Sequence, residues 1–119
     1  MKTKYLLLFL FTSMLGSCRF GTNIILENRS NTDIDSLFIH TDFNKIKLNK
    51  IEKNKSHSLF VNFNNSKHKG DGIFVLQIFE NGKVKKTQQF GYFSNGIPPS
   101  HDFIIKIYND TIQIESVFD

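Results

Sequence analysis

The amino-acid sequence predicts an all-β domain, a two-sheet antiparallel β-sandwich of about seven or eight strands, with a small β-barrel as the alternative. Apolar residues in the stretch 23–119 recur with a period of two between clusters of turn residues, a pattern typical of short strands. No part of this stretch has the 3.6-residue apolar period of an amphipathic helix over a helical length. The strongest local signal is Asn81-Gly82 between two apolar runs, since both residues tolerate the positive φ of a two-residue hairpin turn.

The first half of this stretch contains four predicted strands, at residues 23–28, 34–41, 45–48 and 57–63. In the second strand the apolar positions change phase once after Ile34, which predicts a β-bulge. The third strand alternates lysine with aliphatic residues, which is typical of a sheet edge. The fourth strand alternates polar and apolar positions and ends at Phe63.

The second half begins with residues 73–79, which are apolar at almost every position. This composition, apolar on both faces, predicts a central strand. The chain returns after the Asn-Gly turn through residues 84–92. Strict alternation in this returning strand predicts that Phe90 and Tyr92 lie on the buried face and that Phe93 lies on the other.

Two further strands follow a proline-containing loop, one at residues 103–108 and one that begins at Ile112. Asn109-Asp110 predicts a tight turn between them. In the last strand Ile112, Ile114 and Phe118 are predicted to face inward. Strands of this number and spacing resemble sandwiches of the immunoglobulin, transthyretin or C2 kind, and the sequence leaves the strand order open.

The N-terminal residues predict where in the cell the protein is located. Lys2 and Lys4 precede a nearly continuous apolar run over residues 5–15, which as a helix is about 16 Å long and too short to span a bilayer. A positive segment followed by such a run is typical of a secretory signal. The next four residues, Leu15-Gly16-Ser17-Cys18, resemble the lipobox of bacterial lipoproteins.

This resemblance implies that residues 1–17 are a cleaved signal peptide and that Cys18, the only cysteine, carries the lipid. Residues 18–22 are then an acylated tether, and residues 23–119 form one domain. Two or three acyl chains give near-permanent anchoring. Arg19 directly after the cysteine implies sorting to the outer membrane, and the lack of an acidic run behind it favours a periplasm-facing domain. An ordinary signal peptide is the alternative.

Lysines are concentrated in the middle of the chain. The whole chain has a net charge of +4, of which Lys2 and Lys4 leave with the signal, whereas residues 45–69 alone carry +6 with Glu52 as their one acidic residue. The lysines of this run are Lys45, Lys47, Lys50, Lys53, Lys55, Lys67 and Lys69. They form either a solvated face that protects a sheet edge or a patch for an acidic envelope protein, anionic lipid or anionic glycan. Nucleic acid is disfavoured by the compartment and by the lack of arginine in the run.

A second candidate surface lies after the returning strand. There Phe93, predicted to face away from the core, precedes an Asn-Gly turn and Pro98-Pro99. An exposed aromatic residue beside a proline loop predicts a recognition surface. Core packing of these aromatic residues is the alternative.

Two short patterns suggest glycosylation. Asp35-Ser36-Leu37 and Asp110-Thr111-Ile112 resemble the Asp-Ser/Thr-aliphatic sequon for periplasmic O-glycosylation in some Gram-negative bacteria. The resemblance implies Ser36 and Thr111 as the modified residues.

No catalytic or metal site is predicted. Ser100-His101-Asp102 has the residue types of a catalytic triad, but neighbours in an extended chain point to opposite faces and cannot form the relay. The four histidines share no metal-ligand spacing.

The sequence thus favours a non-enzymatic interaction or assembly module without a cofactor, similar in architecture to small lipoproteins with transthyretin-like sandwiches in secretion machines. A periplasmic inhibitor or immunity protein and a lipoprotein that binds an anionic glycan or lipid are the alternatives.

Overall fold

The computed structural model describes residues 20–64 and 70–118, which form two four-stranded β-sheets. The strands are β1 (Gly21–Asn28), β2 (Ser36–His40), β3 (Lys45–Leu48), β4 (Ser56–Asn62), β5 (Gly72–Glu80), β6 (Lys83–Phe93), β7 (Asp102–Ile107) and β8 (Ile112–Val117). One sheet, here the β1 sheet, has the order β4-β1-β7-β8, and the other, the β5 sheet, has the order β3-β2-β5-β6. The predicted all-β sandwich of seven or eight strands is confirmed. The two sheets are not closed into the small barrel that was the alternative.

The β1 sheet departs from the prediction in one pair of strands. β1 and β7 run parallel, with Ile24 opposite Phe103 and Asn28 opposite Ile107, so the expectation of a wholly antiparallel sandwich is wrong there. The two strands lie far apart in the sequence, and no tight hairpin forces them to run in opposite directions. Because they are parallel, β1 and β7 begin at the same end of the sandwich.

β1 starts earlier than the sequence predicts. Gly21 and Thr22, expected in the tether, lie opposite Asn62 and Val61 of β4. A Cβ atom at Gly21 would collide with the Val61 carbonyl oxygen, so the close approach of the two strands requires glycine. The expected tether of residues 18–22 is therefore too long at its C-terminal side.

The predicted bulge between residues 34 and 41 is also wrong. Ile34 exchanges backbone hydrogen bonds of 2.8 and 3.0 Å with Ile51, and β2 begins only at Ser36 with an unbroken register. The apolar phase changes because the chain passes from one pairing partner to another. Both Ile34 and the β2 residues Leu37 and Ile39 are buried as a result.

The central hairpin follows the prediction. Asn81 and Gly82 have φ angles of 53° and 77°, as a two-residue turn with two positive φ values requires. β5 lies between β2 and β6 and is central, as its composition predicts. The turn at Asn109-Asp110 is closed by a hydrogen bond of 2.9 Å from the Tyr108 amide to the Thr111 carbonyl.

The aromatic residues at the end of β6 reverse the prediction. Near this end β6 contains one residue more than β5 between two successive pairs, and Gly91 has a φ of +64°. A glycine in this conformation is typical of a β-bulge, which inverts the alternation behind it. Phe90 is buried as predicted, but Phe93 is also buried, at 3% exposure, whereas Tyr92 is 62% exposed.

One end of the core is built from phenylalanine rings, which we call the aromatic cluster: Phe63, Phe74, Phe90, Phe93 and Phe103. Phe74 stacks on Phe90 at 5.2 Å, and Phe63 meets Phe93 edge to face at 5.2 Å. Such pairs add about 0.5–1.5 kcal/mol each to the burial of their area. Phe103 of β7 also meets Phe74 of β5 at 5.8 Å, which shows that the start of β5 lies at the same end as the starts of β7 and β1. We call this the N-terminal end.

β8 is only half-buried. Ile112 and Ile114 pack against the core, as predicted. Phe118 is 71% exposed, so its predicted inward position is wrong. Pairing with β7 ends at Val117, opposite Asp102, and Phe118 extends beyond the last paired residue at the N-terminal end.

Candidate functional site

The lipobox residues Leu15, Gly16, Ser17 and Cys18 lie outside the described residues. The first described residue is Phe20, two positions after Cys18, and it is already part of the fold. Its carbonyl accepts a hydrogen bond of 2.9 Å from the Phe63 amide, and the two rings meet edge to face at 6.5 Å. The described chain therefore enters the fold at the N-terminal end of the sandwich, two positions after Cys18 in the sequence.

Within the part of the chain that the structure describes, no helix has the length and apolar character needed to cross a membrane.

The structure divides the lysine run between two surfaces. Lys45 and Lys47 lie on the outer face of edge strand β3, where their Nζ atoms are 4.3 and 5.6 Å from the centre of the Phe38 ring. Ile46 and Leu48 alternate with them and pack against the core. These two lysines therefore cover an apolar ring on a sheet face, which suits the interpretation of a protected edge.

The other three described lysines lie in the connection between β3 and β4, which we call the lysine loop (residues 49–55). Lys50 forms an exposed ion pair with Asp33, with 3.7 Å between Nζ and Oδ2. The backbone amide of Lys53 donates a hydrogen bond of 2.9 Å to the other Asp33 oxygen, so Asp33 holds the loop against the β1–β2 connection. Lys67 and Lys69 lie outside the described residues.

The lysine loop is at the end of the sandwich opposite to the N-terminal end. The backbone amide of Asn54 donates a hydrogen bond of 2.8 Å to the backbone carbonyl of Asn28, the last residue of β1. Lys50 and Lys55 border a shallow depression that Glu52, Ser56 and His57 complete. Two ammonium groups at the border of an accessible depression are suited to bind a carboxylate or phosphate group.

The candidate surface at Phe93, Pro98 and Pro99 is not formed as predicted. Phe93 belongs to the aromatic cluster, and both prolines are half-buried, so the interpretation with an exposed Phe93 is wrong and core packing is correct for this residue. The exposed neighbours are Tyr92 and Ile97. An isolated glycine within a strand-like run is a bulge signal, and applied to Gly91 it would have identified Tyr92.

Tyr92 is held by its neighbours. Its phenol donates a hydrogen bond to the Asp71 carboxylate, and this interaction, with a smaller effect of burial, raises the pKa of Tyr92 above its ordinary value. Asp71 also accepts a hydrogen bond of 3.2 Å from the Asn95 amide. The carboxylate thus joins the start of β5 to the turn after β6.

Within Ser100-His101-Asp102, His101 and Asp102 make separate contacts. The His101 ring packs against Phe103 at 4.9 Å and Phe118 at 4.8 Å, and its Nδ1 atom has no hydrogen-bond partner among the described residues. Asp102 accepts a hydrogen bond of 2.9 Å from the Asn23 amide and so fastens β7 to β1. Across residues 20–64 and 70–118, no three histidine, cysteine or acidic residues are grouped as metal ligands.

The two predicted glycosylation residues differ in access. Ser36 is half-buried in β2, where it is paired with Phe79. Thr111 is exposed in the β7–β8 turn. Only the Thr111 hydroxyl therefore has the open surroundings that a glycosyl transfer needs.

A cleft of about 320 Å³ opens between the β1–β2 connection, the end of β5 and the β7–β8 turn. Its carboxylates already have partners in the fold. Asp33 binds the lysine loop, as described above, and Asp35 accepts a hydrogen bond of 3.1 Å from the Asn81 amide. Glu80 is paired with Lys85 at 3.5 Å, so the acidic groups of the cleft fasten the turns at this end.

A comparison with protein-family models and a comparison with curated proteins each find no match for this chain.

Proposed function

We propose that the protein is a lipid-anchored lipoprotein of the cell envelope, attached to the outer membrane through Cys18, and that it acts as a non-enzymatic interaction module in the periplasm. The lipobox resemblance of residues 15–18 supports the anchor. The start of β1 at Gly21 agrees with it, because the first strand begins behind the proposed cleavage position and all eight strands would remain in the acylated protein.

The observation that carries the interaction role is the position of the lysine loop. It lies at the end of the sandwich opposite to the residue that follows the anchor, so anchoring at Cys18 leaves Lys50, Lys53 and Lys55 directed away from the lipid. Asp33, the acidic partner in contact with this loop, pairs with Lys50 alone through its side chain. Lys53 and Lys55 are exposed and available to an acidic partner, whose approach they accelerate electrostatically.

The topology adds an architectural argument. The order β4-β1-β7-β8 over β3-β2-β5-β6, with a parallel β1–β7 pair, resembles the transthyretin type among the three sandwich types that the sequence leaves open. Small lipoproteins with such sandwiches act as assembly modules in secretion machines. This likeness concerns architecture, and function belongs to the site.

The test is a crosslinked pull-down of the acylated protein from intact envelopes. The variant Lys53→Glu/Lys55→Glu reverses two lysines of the loop and leaves the Lys50–Asp33 pair intact. The matched control, Lys45→Glu/Lys47→Glu, changes the net charge equally on the β3 face. We expect one stoichiometric acidic protein that is lost from the first variant and retained by the control.

The other outcomes discriminate between functions. Equal capture by both variants and the unchanged protein would remove the lysine loop from the proposal. Loss from both variants equally would indicate general electrostatic attraction, as for an anionic glycan or lipid. A captured hydrolase or toxin whose activity falls on binding would assign the inhibitor or immunity role, for which the same loop is suited.

A further inference from the structure

We propose that the N-terminal end of the sandwich is a membrane-docking face, whose exposed apolar side chains lie in the interface of the same bilayer that holds the lipid on Cys18. The inference rests on the proposed anchoring. It adds that the folded domain itself contacts the lipid and therefore has a fixed orientation on the membrane.

The exposed apolar side chains of the described residues are distributed unequally. Eight large ones are exposed in the structure, and Ile25 on the face of the β1 sheet and Val84 near the opposite end are the two that lie away from the N-terminal end. The remaining six, which we call the apolar rim, are Phe20, Ile73, Tyr92, Ile97, Val117 and Phe118. They are contributed by four separate parts of the chain that the topology brings to one end.

The strand pairing and ring contacts place these parts together. Gly72, next to Ile73, lies opposite Phe93, next to Tyr92. On the other sheet Val117 lies opposite Asp102 at the start of β7. The aromatic cluster connects the two sheets below the rim, since Phe20 contacts Phe63 and Phe63 contacts Phe93.

The opposite end has a different composition. Its four connections run through residues 29–35, 49–55, 81–82 and 108–111, and their exposed residues are asparagine, aspartate, glutamate, lysine, arginine, threonine and glycine. Scattered single apolar residues on a surface are ordinary. Six at one end and one near the other are a concentration of the kind that marks an interaction surface.

The short segment between Cys18 and Phe20 indicates that the membrane is the surface that the apolar rim contacts. Cys18 is two residues from Phe20, and two residues span at most about 7 Å. Acyl chains on Cys18 enter the hydrocarbon, so the rim is held at the level of the headgroups. Phenylalanine, tyrosine and branched aliphatic side chains are favoured at that depth.

The polar groups of this end are compatible with such contact. The Asp71 carboxylate is engaged by the Tyr92 phenol and the Asn95 amide, and Asp102 is engaged by Asn23. Asp42 and Lys45 are exposed charges of opposite sign near the end of β2 and the start of β3. Among the described residues of this end, the exposed charges that take no part in these hydrogen bonds are thus one of each sign, and contact of the apolar rim with lipid should depend weakly on salt.

The absence of tryptophan from the sequence permits a direct test with single-tryptophan variants. Phe118→Trp introduces a probe on the rim, and Val84→Trp introduces a matched probe on an exposed strand residue near the opposite end. Each acylated mature protein is reconstituted into phosphatidylcholine vesicles whose acyl chains are brominated near the headgroup. We expect bromine to reduce the fluorescence of the rim probe at least about two-fold more than that of the control, with or without added salt.

The other possible results of this experiment separate failure of the docking face from failure of the lipid anchor. Equal quenching of the two probes by bromine, in protein that floats with the vesicles and carries acylated Cys18 by intact mass, would overturn the docking face and leave the anchor in place. Quenching that disappears in salt would overturn the apolar contact in favour of electrostatic adsorption. An unmodified Cys18 with no flotation would overturn both the anchor and the docking face.

Discussion

Asn28 and Thr22 are both buried polar residues on the inner row of β1, but their surroundings differ. The Asn28 amide donates hydrogen bonds to the carbonyls of Thr32 and Ile51, and its oxygen accepts two from Ser30. This one side chain therefore joins the β1–β2 connection to the lysine loop. The Thr22 hydroxyl has no hydrogen-bond partner among the described residues.

Asn28→Ala should lower the free energy of unfolding by roughly 2–4 kcal/mol, because four hydrogen bonds of a buried side chain are lost and each contributes about 0.5–1.5 kcal/mol. Urea unfolding of the variant measures the change. Asn49→Ala, which truncates an exposed asparagine of the lysine loop, is the control and should change stability by less than about 0.5 kcal/mol. Equal effects of the two substitutions would contradict the role given to Asn28.

Thr22→Val should act in the opposite direction. It replaces an unsatisfied buried hydroxyl by a methyl group of similar shape, so we expect the free energy of unfolding to rise by about 1 kcal/mol. The same urea experiment applies. A destabilised variant would show that the hydroxyl has a partner, such as a buried water molecule.

Tyr92 should titrate above the ordinary tyrosine pKa of about 10, since its hydrogen bond to Asp71 raises its pKa. This interaction favours the neutral phenol, so its contribution to stability is present below the unfolded pKa and is lost as pH rises through the folded pKa. Tyr108→Phe leaves Tyr92 as the one tyrosine after Cys18, and its tyrosinate absorbance reports the titration. Asp71→Asn should lower the midpoint, and an unchanged midpoint would refute the contact.

At the scale of elements, β6 shows where sequence patterns succeed and where they fail. The Asn81-Gly82 hairpin follows from two adjacent residues whose φ preferences determine the turn. The burial of Phe93 depends instead on the register between β5 and β6. One extra residue of β6 at Gly91 shifts this register. Alternation alone does not indicate this shift in register, although a glycine within a strand is the usual sign of a bulge.

Gly91→Ala tests the bulge. A side chain at a φ of +64° is strained by about 1–2 kcal/mol, and the new Cβ atom would lie 2.8 Å from the Phe103 ring and 2.9 Å from the Phe74 ring. We expect a loss of at least about 2 kcal/mol, measured by thermal or urea unfolding. Gly70→Ala is the matched control, because a Cβ atom there meets no atom of the described residues within 4 Å. A similar loss in both variants would argue against the bulge.

The lysine run and the tether show the same limitation. The sequence identifies the seven lysines as one charged stretch, and the fold assigns Lys45 and Lys47 to a sheet face and Lys50, Lys53 and Lys55 to the opposite end. Closeness in the sequence does not determine which surface of the sandwich a lysine occupies. Gly21 and Thr22 fall in the predicted tether because the apolar run of the first strand starts only behind them. Their pairing is specified by β4, which is distant in the sequence.

At the scale of the whole molecule, the sandwich has two unlike ends. The N-terminal end begins two residues behind Cys18 and carries the apolar rim, while the opposite end carries the lysine loop and polar turns. The β-sandwich itself could be predicted from alternation and turn residues. The apolar rim could not, because Phe20, Ile97 and Phe118 are far apart in the sequence and are brought to the same end by the parallel β1–β7 pair and the contacts between the sheets.

Cys18→Ser should release the protein from membranes, since the apolar rim alone lacks the acyl chains that give lasting attachment. The measurement is the distribution between soluble and membrane fractions. Ser17→Thr keeps the cysteine and serves as a control for changes near the cleavage position. A Cys18→Ser protein that remains wholly in the membrane fraction would show that another element anchors the chain.

The most direct test of the account is the mass of the N-terminal peptide of the protein extracted from envelopes. Anchoring through Cys18 predicts a peptide that begins at Cys18 and carries a diacylglyceryl group on the cysteine sulfur together with an acylated amino terminus. A peptide that retains residues 1–17, or one that is cleaved elsewhere and contains Cys18 with a free thiol, would contradict it.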